Sequence, residues 1–335
     1  MTVSGRSHAI SVIGPTRPRV SVVIPTFNRA AFLPSAARSA LDQTLHEIEV
    51  IIVDDGSTDA TPDVCRSFAA TDPRVRVIRQ GNRGLPAARN AGLTAAAADW
   101  VAFLDDDDLW VPHALARLRA GVGEGDVVGC LAVAFTSDEP ALTAPTILAA
   151  PQKFALTPYP PAVSAMPIAL HELLLRSFFP IHGALFSTAA VRAVGGFDDT
   201  LKAAEDYDLW LRLAARAPVA VLPEALALVR MHPRQMSRVL GIQVAETRRV
   251  LERFLSTHPE IHRTGALRRR IARLAREEAY AALRAGQRRA ARVAAAHAVR
   301  LWPADAKAWL YLLASPSPAA YRALRGVLRG GRGAK

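Results

Sequence analysis

Four consecutive aspartates, Asp105 to Asp108, follow an apolar run at 100–104. Carboxylates this close repel one another, and the run is unfavourable without a cation. Oxygen ligands suit Mg²⁺ or Mn²⁺, which bind one or two carboxylates together with phosphate oxygens. On an extended segment Asp105 and Asp107 would point the same way and act together; the bland alternative is a solvated acidic turn. Asp54 and Asp55 end a second apolar run. A carboxylate there can accept from a base N–H or a ribose hydroxyl, or close an Asx turn with Gly56. Arg83 and Arg89 stand before and on a helical segment, where Arg83 can face phosphate or serve structure alone. Glu205-Asp206 opens a helical pattern, and a helix N-terminus favours the ionised carboxylate that a general base must be. A capping acid is the other reading. His232 is a candidate ligand to metal or diphosphate, or simply a packed histidine. Trp110 and Trp210 read as packing residues rather than sugar platforms.

These residues need a scaffold, and the first hundred positions supply one. Strand patterns at 20–24, 49–53, 75–78 and 100–104 alternate with helical patterns at 29–41, 58–70 and 85–97. Ser57 or Thr58 is the expected N-cap of the second helix, with Pro62 in its first turn. Such alternation predicts a parallel sheet with helices on both faces, and such sheets bind ligands at the carboxyl ends of their strands. Thr26 and Asn28, Asp54 and Asp55, and the aspartate run all fall at those ends. Residues 126–135 suggest another strand, and the Pro-rich stretch 139–167 reads as a long loop or insertion. A Gly195-Gly196 turn, a helix over 205–217 and a strand near 219–222 follow.

The chain has 335 residues and a net charge of +12, unevenly spread. Residues 1–240 hold 22 Lys and Arg against 24 Asp and Glu; residues 241–335 hold 20 against 6. That last part is rich in Ala, Arg and Leu at helical spacing, and reads as a basic helical region. Two cysteines, Cys65 and Cys130, exclude a disulfide scaffold. No apolar run approaches the length of a membrane span, and the N-terminus has no sustained apolar segment of a secretory signal. The expectation is a cytoplasmic chain, peripheral to the membrane at most. Few aromatics interleave with the basic residues, so no nucleic-acid partner is expected.

Taken together, the motifs resemble the family 2 inverting glycosyltransferases of the GT-A fold over residues 18–240. The matching segments are Val20-Ser-Val-Val-Ile-Pro-Thr-Phe-Asn-Arg29, Val50-Ile-Ile-Val-Asp-Asp-Gly-Ser-Thr-Asp59, 82–90 with its Ala-Arg-Asn, Phe103-Leu-Asp-Asp-Asp-Asp108, and Gly195-Gly-Phe-Asp198 followed by Glu205-Asp-Tyr-Asp-Leu-Trp210. The resemblance implies a Rossmann-like, mostly parallel sheet flanked by helices, an extended or disordered stretch over 1–17, and a helical appendage over 241–335. It implies that Pro25, Thr26, Asn28, Asp54, Asp55, Arg83, Asp105 and Asp106 line the nucleotide-sugar site. Asp105, Asp107 and His232 would hold Mn²⁺ or Mg²⁺, and Asp206 would be the catalytic base. The implied activity moves one sugar from a nucleotide-diphosphate-sugar, a uridine diphosphate sugar first, to a hydroxyl of a saccharide, lipid-linked or other acceptor. Cell-envelope or polysaccharide synthesis is the implied setting. Processive members often carry Gln-x-x-Arg-Trp; here Gln235 to Arg238 is followed by Val239, so single additions are expected. A catalytically silent relative is the second reading. A nucleotidyltransferase is the third, but 25–29 lacks its Gly-rich loop. The basic helices are expected to meet an anionic membrane, a partner protein or only solvent.

Overall fold

The structure is a computed structural model that describes residues 17–123, 125–159, 168–176, 180–232, 240–262 and 264–317. Strands β1 (Val20–Thr26), β2 (Ile48–Asp54), β3 (Val75–Arg79) and β4 (Trp100–Phe103) run parallel in the order β3-β2-β1-β4. Every residue of β1 and β2 is buried. That explains why they are continuous apolar runs rather than alternating ones: helices cover both faces. The crossovers contain α1 (Leu33–Leu41), α2 (Thr61–Thr71) and α3 (Leu85–Ala95). Gly92 lets α3 lie directly on β1, since a Cβ there would sit 2.2 Å from Val23 Cγ1. The first helix is shorter than its pattern predicts and begins at Leu33 with Pro34 in its first turn. The N-cap position of α2 is Ala60 rather than Ser57 or Thr58, and Asp59 Oδ1 accepts from Thr61 N instead.

The other half of the sheet is mixed. It contains β5 (Leu109–Trp110), β6 (Val127–Thr136), β7 (Thr157–Tyr159), β8 (Ala184–Ser187) and β9 (Ala220–Met231). β8 pairs antiparallel with β4 and β6, β7 antiparallel with β6, and β5 antiparallel with β9; β6 and β9 are parallel. Only the N-terminal half therefore matches the expected parallel sheet. The reason is local: β5, β7 and β8 are too short to show periodicity, and β6 pairs with β9 through irregular register near Cys130–Ala132. The helices of this half are α4 (Ala114–Ala120), α5 (Ala144–Ala149), α6 (Leu170–Leu173), α7 (Thr188–Ala193) and α8 (Glu205–Ala214). The stretch read as a loop thus holds a helix and a strand. Thr143 caps α5 by accepting from Thr146 N, and Ile147 and Phe154 are buried beside it.

Among the described residues four helices follow: α9 (Leu240–Thr257), α10 (Gly265–Arg284), α11 (Arg288–Leu301) and α12 (Ala306–Ala314). Val250, Leu251 and Phe254 of α9 and Leu267 and Ile271 of α10 join the buried cluster that holds Tyr207, Trp210 and Leu211 of α8. Arg253 of α9 bonds Asp198 at 2.6 Å and Asp208 at 2.8 Å. α9 and the start of α10 therefore share the core of the sheet region. α11 and α12 pack outward through small Ala-rich clusters with the end of α10. The expected N-terminal tail up to residue 16, and the Gln235-to-Arg238 spacing, lie outside the described residues.

Candidate active site

The carboxyl ends of β1, β2 and β4 converge with the start of α8 and the end of β9. Beyond Phe103 the chain leaves the strand and turns, with Asp108 N donating to Asp105 O at 3.2 Å. The expectation of an extended segment with Asp105 and Asp107 side by side does not hold. The turn divides the four carboxylates between two cationic groups, Asp105 and Asp108 towards His182 and Asp106 and Asp107 towards Arg29. Asp105 Oδ1 accepts from Arg89 Nη2 at 2.7 Å, and its other oxygen lies 3.6 Å from His182. Asp106 lies 3.8 Å from Arg29. Asp107 Oδ2 is 2.9 Å from His232 Nε2 and 3.8 Å from Arg29. Asp108 Oδ1 accepts from Arg230 N, and its other oxygen lies 3.0 Å from His182 Nδ1.

This partition tunes the carboxyls of Asp105, Asp106 and Asp108. Burial drives Asp106 well above the usual carboxylate range, and the charge of Asp107 adds to the push. Burial also pushes Asp105 upward, but Arg89 and His182 outweigh it and hold Asp105 well below the usual range. Burial lifts Asp108 to about 6 despite His182. Burial would lower His182, yet Asp108 and Asp105 carry it up to about 10, which favours the imidazolium. Part of the four-aspartate repulsion is therefore relieved by cations built into the protein.

Asp107 and His232 offer one oxygen and one nitrogen donor within reach of a single ion, a mixture that suits Mn²⁺ better than the oxygen-seeking Mg²⁺, with phosphate oxygens as further ligands. Stacking on Phe32, 5.6 Å between centroids, fixes the His232 ring. Ligand atoms of Asp105, Asp108 and His182 also lie within 4.8 Å of one another. There the guanidinium of Arg89 already neutralises Asp105, so this trio is the weaker cation site. The donor set fits a divalent ion at Asp107 and His232, whereas Asp105, expected as a third ligand, is engaged by Arg89 and His182. Asp107→Ala and His232→Ala are each expected to weaken Mn²⁺-dependent nucleotide binding by at least about tenfold while changing metal-free binding little. Calorimetric titration with and without the metal checks this.

The expected nucleotide-site residues fall into two groups. Thr26 ends β1 and is buried beside the aspartate turn, following Pro25. Asn28, at φ +53°, links two loops: its N–H donates to Ser57 Oγ and its Oδ1 accepts from Thr58 N. Asp54 Oδ1 accepts from Ser57 N, three residues on, at 2.8 Å, so it braces the loop after β2 rather than closing the Asx turn with Gly56 that the sequence allowed. Asp55 accepts from Gln80 Nε2, Arg83 N and Gly84 N, and so shapes the 80–84 loop. Gly56, at φ +83°, permits that approach, because a Cβ would sit 2.8 Å from Asn82 N. The Arg83 side chain is mostly exposed and lies 3.5 Å from Asp199, in the loop between α7 and α8.

Asp206 stands on the first turn of α8, half-buried, with Oδ1 accepting from Tyr207 N at 2.7 Å. The helix N-terminus was expected to favour its ionised form. Burial, and then the neighbouring Glu205, instead raise Asp206 to about 6, with Arg89 opposing. Glu205 itself accepts from Arg89 Nη1 at 2.7 Å. One guanidinium, only 2% exposed, thus ties Asp105 to the start of α8. Asn90, the next residue, clamps the loop between α7 and α8 by accepting from Phe197 N and donating to Phe197 O. Trp110 and Trp210 are buried packing residues, as read. The sequence reading missed His182, Arg29 and the bridging role of Arg89. Arg89 had a signal in its Ala-Arg-Asn segment; His182 had none.

The helix-flanked sheet with an acidic turn at its strand ends is the arrangement of the GT-A fold. Residues 21–183 match the model of Glycosyl transferase family 2. An uncharacterized glycosyltransferase of Bacillus subtilis, EpsJ, is 30% identical over 230 residues, covering 66% of this chain and 64% of that one. An uncharacterized glycosyltransferase of Nostoc, alr2836, is 44% identical over 114 residues, 34% of this chain and 35% of that one. The chain spans about a third to two thirds of the length of these and similar curated relatives. Among solved structures, the mannosyltransferase PcManGT of Pyrobaculum calidifontis, in complex with GDP-Man and Mn²⁺, aligns with a TM-score of 0.55 at 21% identity. That alignment covers 92% of this chain and 84% of that one. S. aureus TarS 1–349 in complex with UDP-GlcNAc gives 0.55 at 19%, covering 91% of each. The chain carries a family 2 glycosyltransferase domain with the GT-A fold.

Proposed function

We propose that this protein is a metal-dependent, inverting glycosyltransferase that adds single sugars to an acceptor hydroxyl. Asp206 carries the reading: a half-buried carboxylate at the start of α8, joined through Glu205 and Arg89 to the aspartate turn that would receive the donor. Asp206 takes the proton of the acceptor hydroxyl, whose oxygen then attacks C1 of the donor sugar from the face opposite the diphosphate. The C1–O bond to the diphosphate breaks in the same displacement, so the anomeric centre inverts. No covalent enzyme intermediate is needed, unlike the two-carboxylate retaining glycosidases. Asp107 and His232 would hold a divalent ion, which when bound would supply positive charge to the departing diphosphate. Arg29 lies beside the same carboxylates, and Arg83 stands exposed at the rim.

Structural relatives crystallised with UDP-GlcNAc and with GDP-Man and Mn²⁺ support a nucleotide-sugar donor and a divalent ion. A uridine diphosphate sugar is the donor proposed first. Relatives named chondroitin synthase, from Escherichia coli, support a polysaccharide or cell-envelope setting. Among the described residues no helix is long and apolar enough to cross a membrane; contact with a membrane surface is the proposed mode of association. The test is a panel of nucleotide-sugars with Mn²⁺, following release of nucleoside diphosphate with and without EDTA. EDTA-sensitive release from one donor is the expected result. Release that EDTA leaves unchanged would remove the metal from the account, and failure of every donor to shift the melting temperature would remove nucleotide-sugar binding.

A further inference from the structure

α12 is apolar on both sides. Ala308, Tyr311 and Ala314 face inward and are buried, as its seat against α10 and α11 requires. Its other face carries Trp309, Leu310 and Leu313, which are 43%, 45% and 69% exposed. The spacing i, i+1, i+4 places these three on one stripe of the helix. A surface helix of a soluble protein ordinarily turns charge or polarity outward at such positions. On α11 the exposed face carries Arg289, Arg292 and Arg300 around Val293, which is 66% exposed. Residues 264–317 hold eleven Lys and Arg against three Asp and Glu. Residues 318–335, directly after α12, add four Arg and one Lys with no acid.

An apolar stripe with an indole, set within a strongly cationic helical pair, matches the chemistry of a bilayer interface. Trp and Leu enter the headgroup–acyl boundary while Arg and Lys meet anionic headgroups. A second copy of the same face is the poorer occupant, because it would bring two cationic surfaces together. We infer that the outward face of α12, with the basic face of α11, is an interfacial docking surface for anionic lipid. This deepens the proposed membrane association by naming its surface and its lipid. It rests on that reading for its purpose, since a docked enzyme would meet a lipid-linked or membrane-proximal acceptor, but not for its physics.

The test uses the full chain and vesicles, with no donor present. Co-sedimentation with vesicles of phosphatidylglycerol and phosphatidylcholine is compared with phosphatidylcholine alone, at low and high salt. Binding is expected only to the anionic vesicles, weakened by salt. Combining Trp309→Ser, Leu310→Ser and Leu313→Ser should lower the partition coefficient by at least about tenfold, as expected from the apolar area withdrawn. Arg289→Glu with Arg292→Glu should lower it and flatten the salt dependence. Nucleoside diphosphate release and thermal melting of the same variants should match the parent, which separates failure of docking from failure of the catalytic reading. Absence of binding by the parent chain, or full binding by the triple variant, would overturn the inference. So would a parent dimer in sedimentation velocity that the triple variant dissociates, since the stripe would then belong to a second copy.

Discussion

Replacing Asp206 by Asn is expected to lower turnover by roughly 10²–10⁴-fold, the range that a positioned general base contributes. The amide keeps the size of the carboxylate and its acceptor oxygen for Tyr207 N. Nucleotide binding should therefore change by less than about threefold, because the lost interaction belongs to the transition state. A pH signature accompanies the loss. Burial and Glu205 raise Asp206 to about 6, so its carboxyl holds its proton at higher pH than a solvated aspartate. A base must be ionised to act. The parent kcat/KM should be level above that value and fall by about tenfold per unit below it. The residual activity of Asp206→Asn should lack this limb. Steady-state rates across pH, with nucleotide affinity measured in parallel, check both parts. Full turnover in the Asn variant would remove Asp206 from its role.

Arg89→Met is expected to damage both stability and catalysis. The side chain is 2% exposed and its fork joins Glu205 and Asp105, each at 2.7 Å. Removing one partner of a buried ion pair leaves charge without compensation, at a cost of about 3–5 kcal/mol. Denaturant unfolding measures that loss. Arg89→Lys should restore part of it, since an ammonium keeps the charge but cannot span two carboxylates as a planar fork does. Adding Glu205→Gln to Arg89→Met removes one stranded charge, while Asp105 keeps His182 at 3.6 Å. The double variant should thus regain stability without regaining turnover, because the start of α8 is no longer tied to the aspartate turn. Parent-like stability and turnover in Arg89→Met would show that the bridge does nothing.

The contrast between Arg89 and the aspartates shows how far the sequence carries. The aspartate run and Glu205-Asp206 were legible because they break strong patterns: one ends a buried strand, the other opens a helix. β1 and β2 were legible because burial on both faces leaves continuous β-branched runs. What the sequence could not show was the turn after Phe103, which sends Asp105 to Arg89 and Asp107 to His232. Side-chain direction on a turn follows tertiary partners, not alternation. His182 was invisible for a related reason. It follows a short helix and a poorly patterned stretch, and its role depends on Asp108 and Asp105, more than seventy positions away. The mixed half of the sheet was obscure because its strands are brief or irregularly paired. The C-terminal change of composition was plain at the sequence level, yet the core shared by α8, α9 and α10 was not.

One measurement bears most directly on the central claim, that a single carboxylate drives one displacement at C1. Once a donor and an acceptor are in hand, the anomeric configuration of the first-formed product can be read by proton NMR. Inversion relative to the donor is the predicted result, with no glycosylated enzyme trapped at any stage. A product of retained configuration would require a second nucleophile or a different chemistry, and would contradict the role assigned to Asp206.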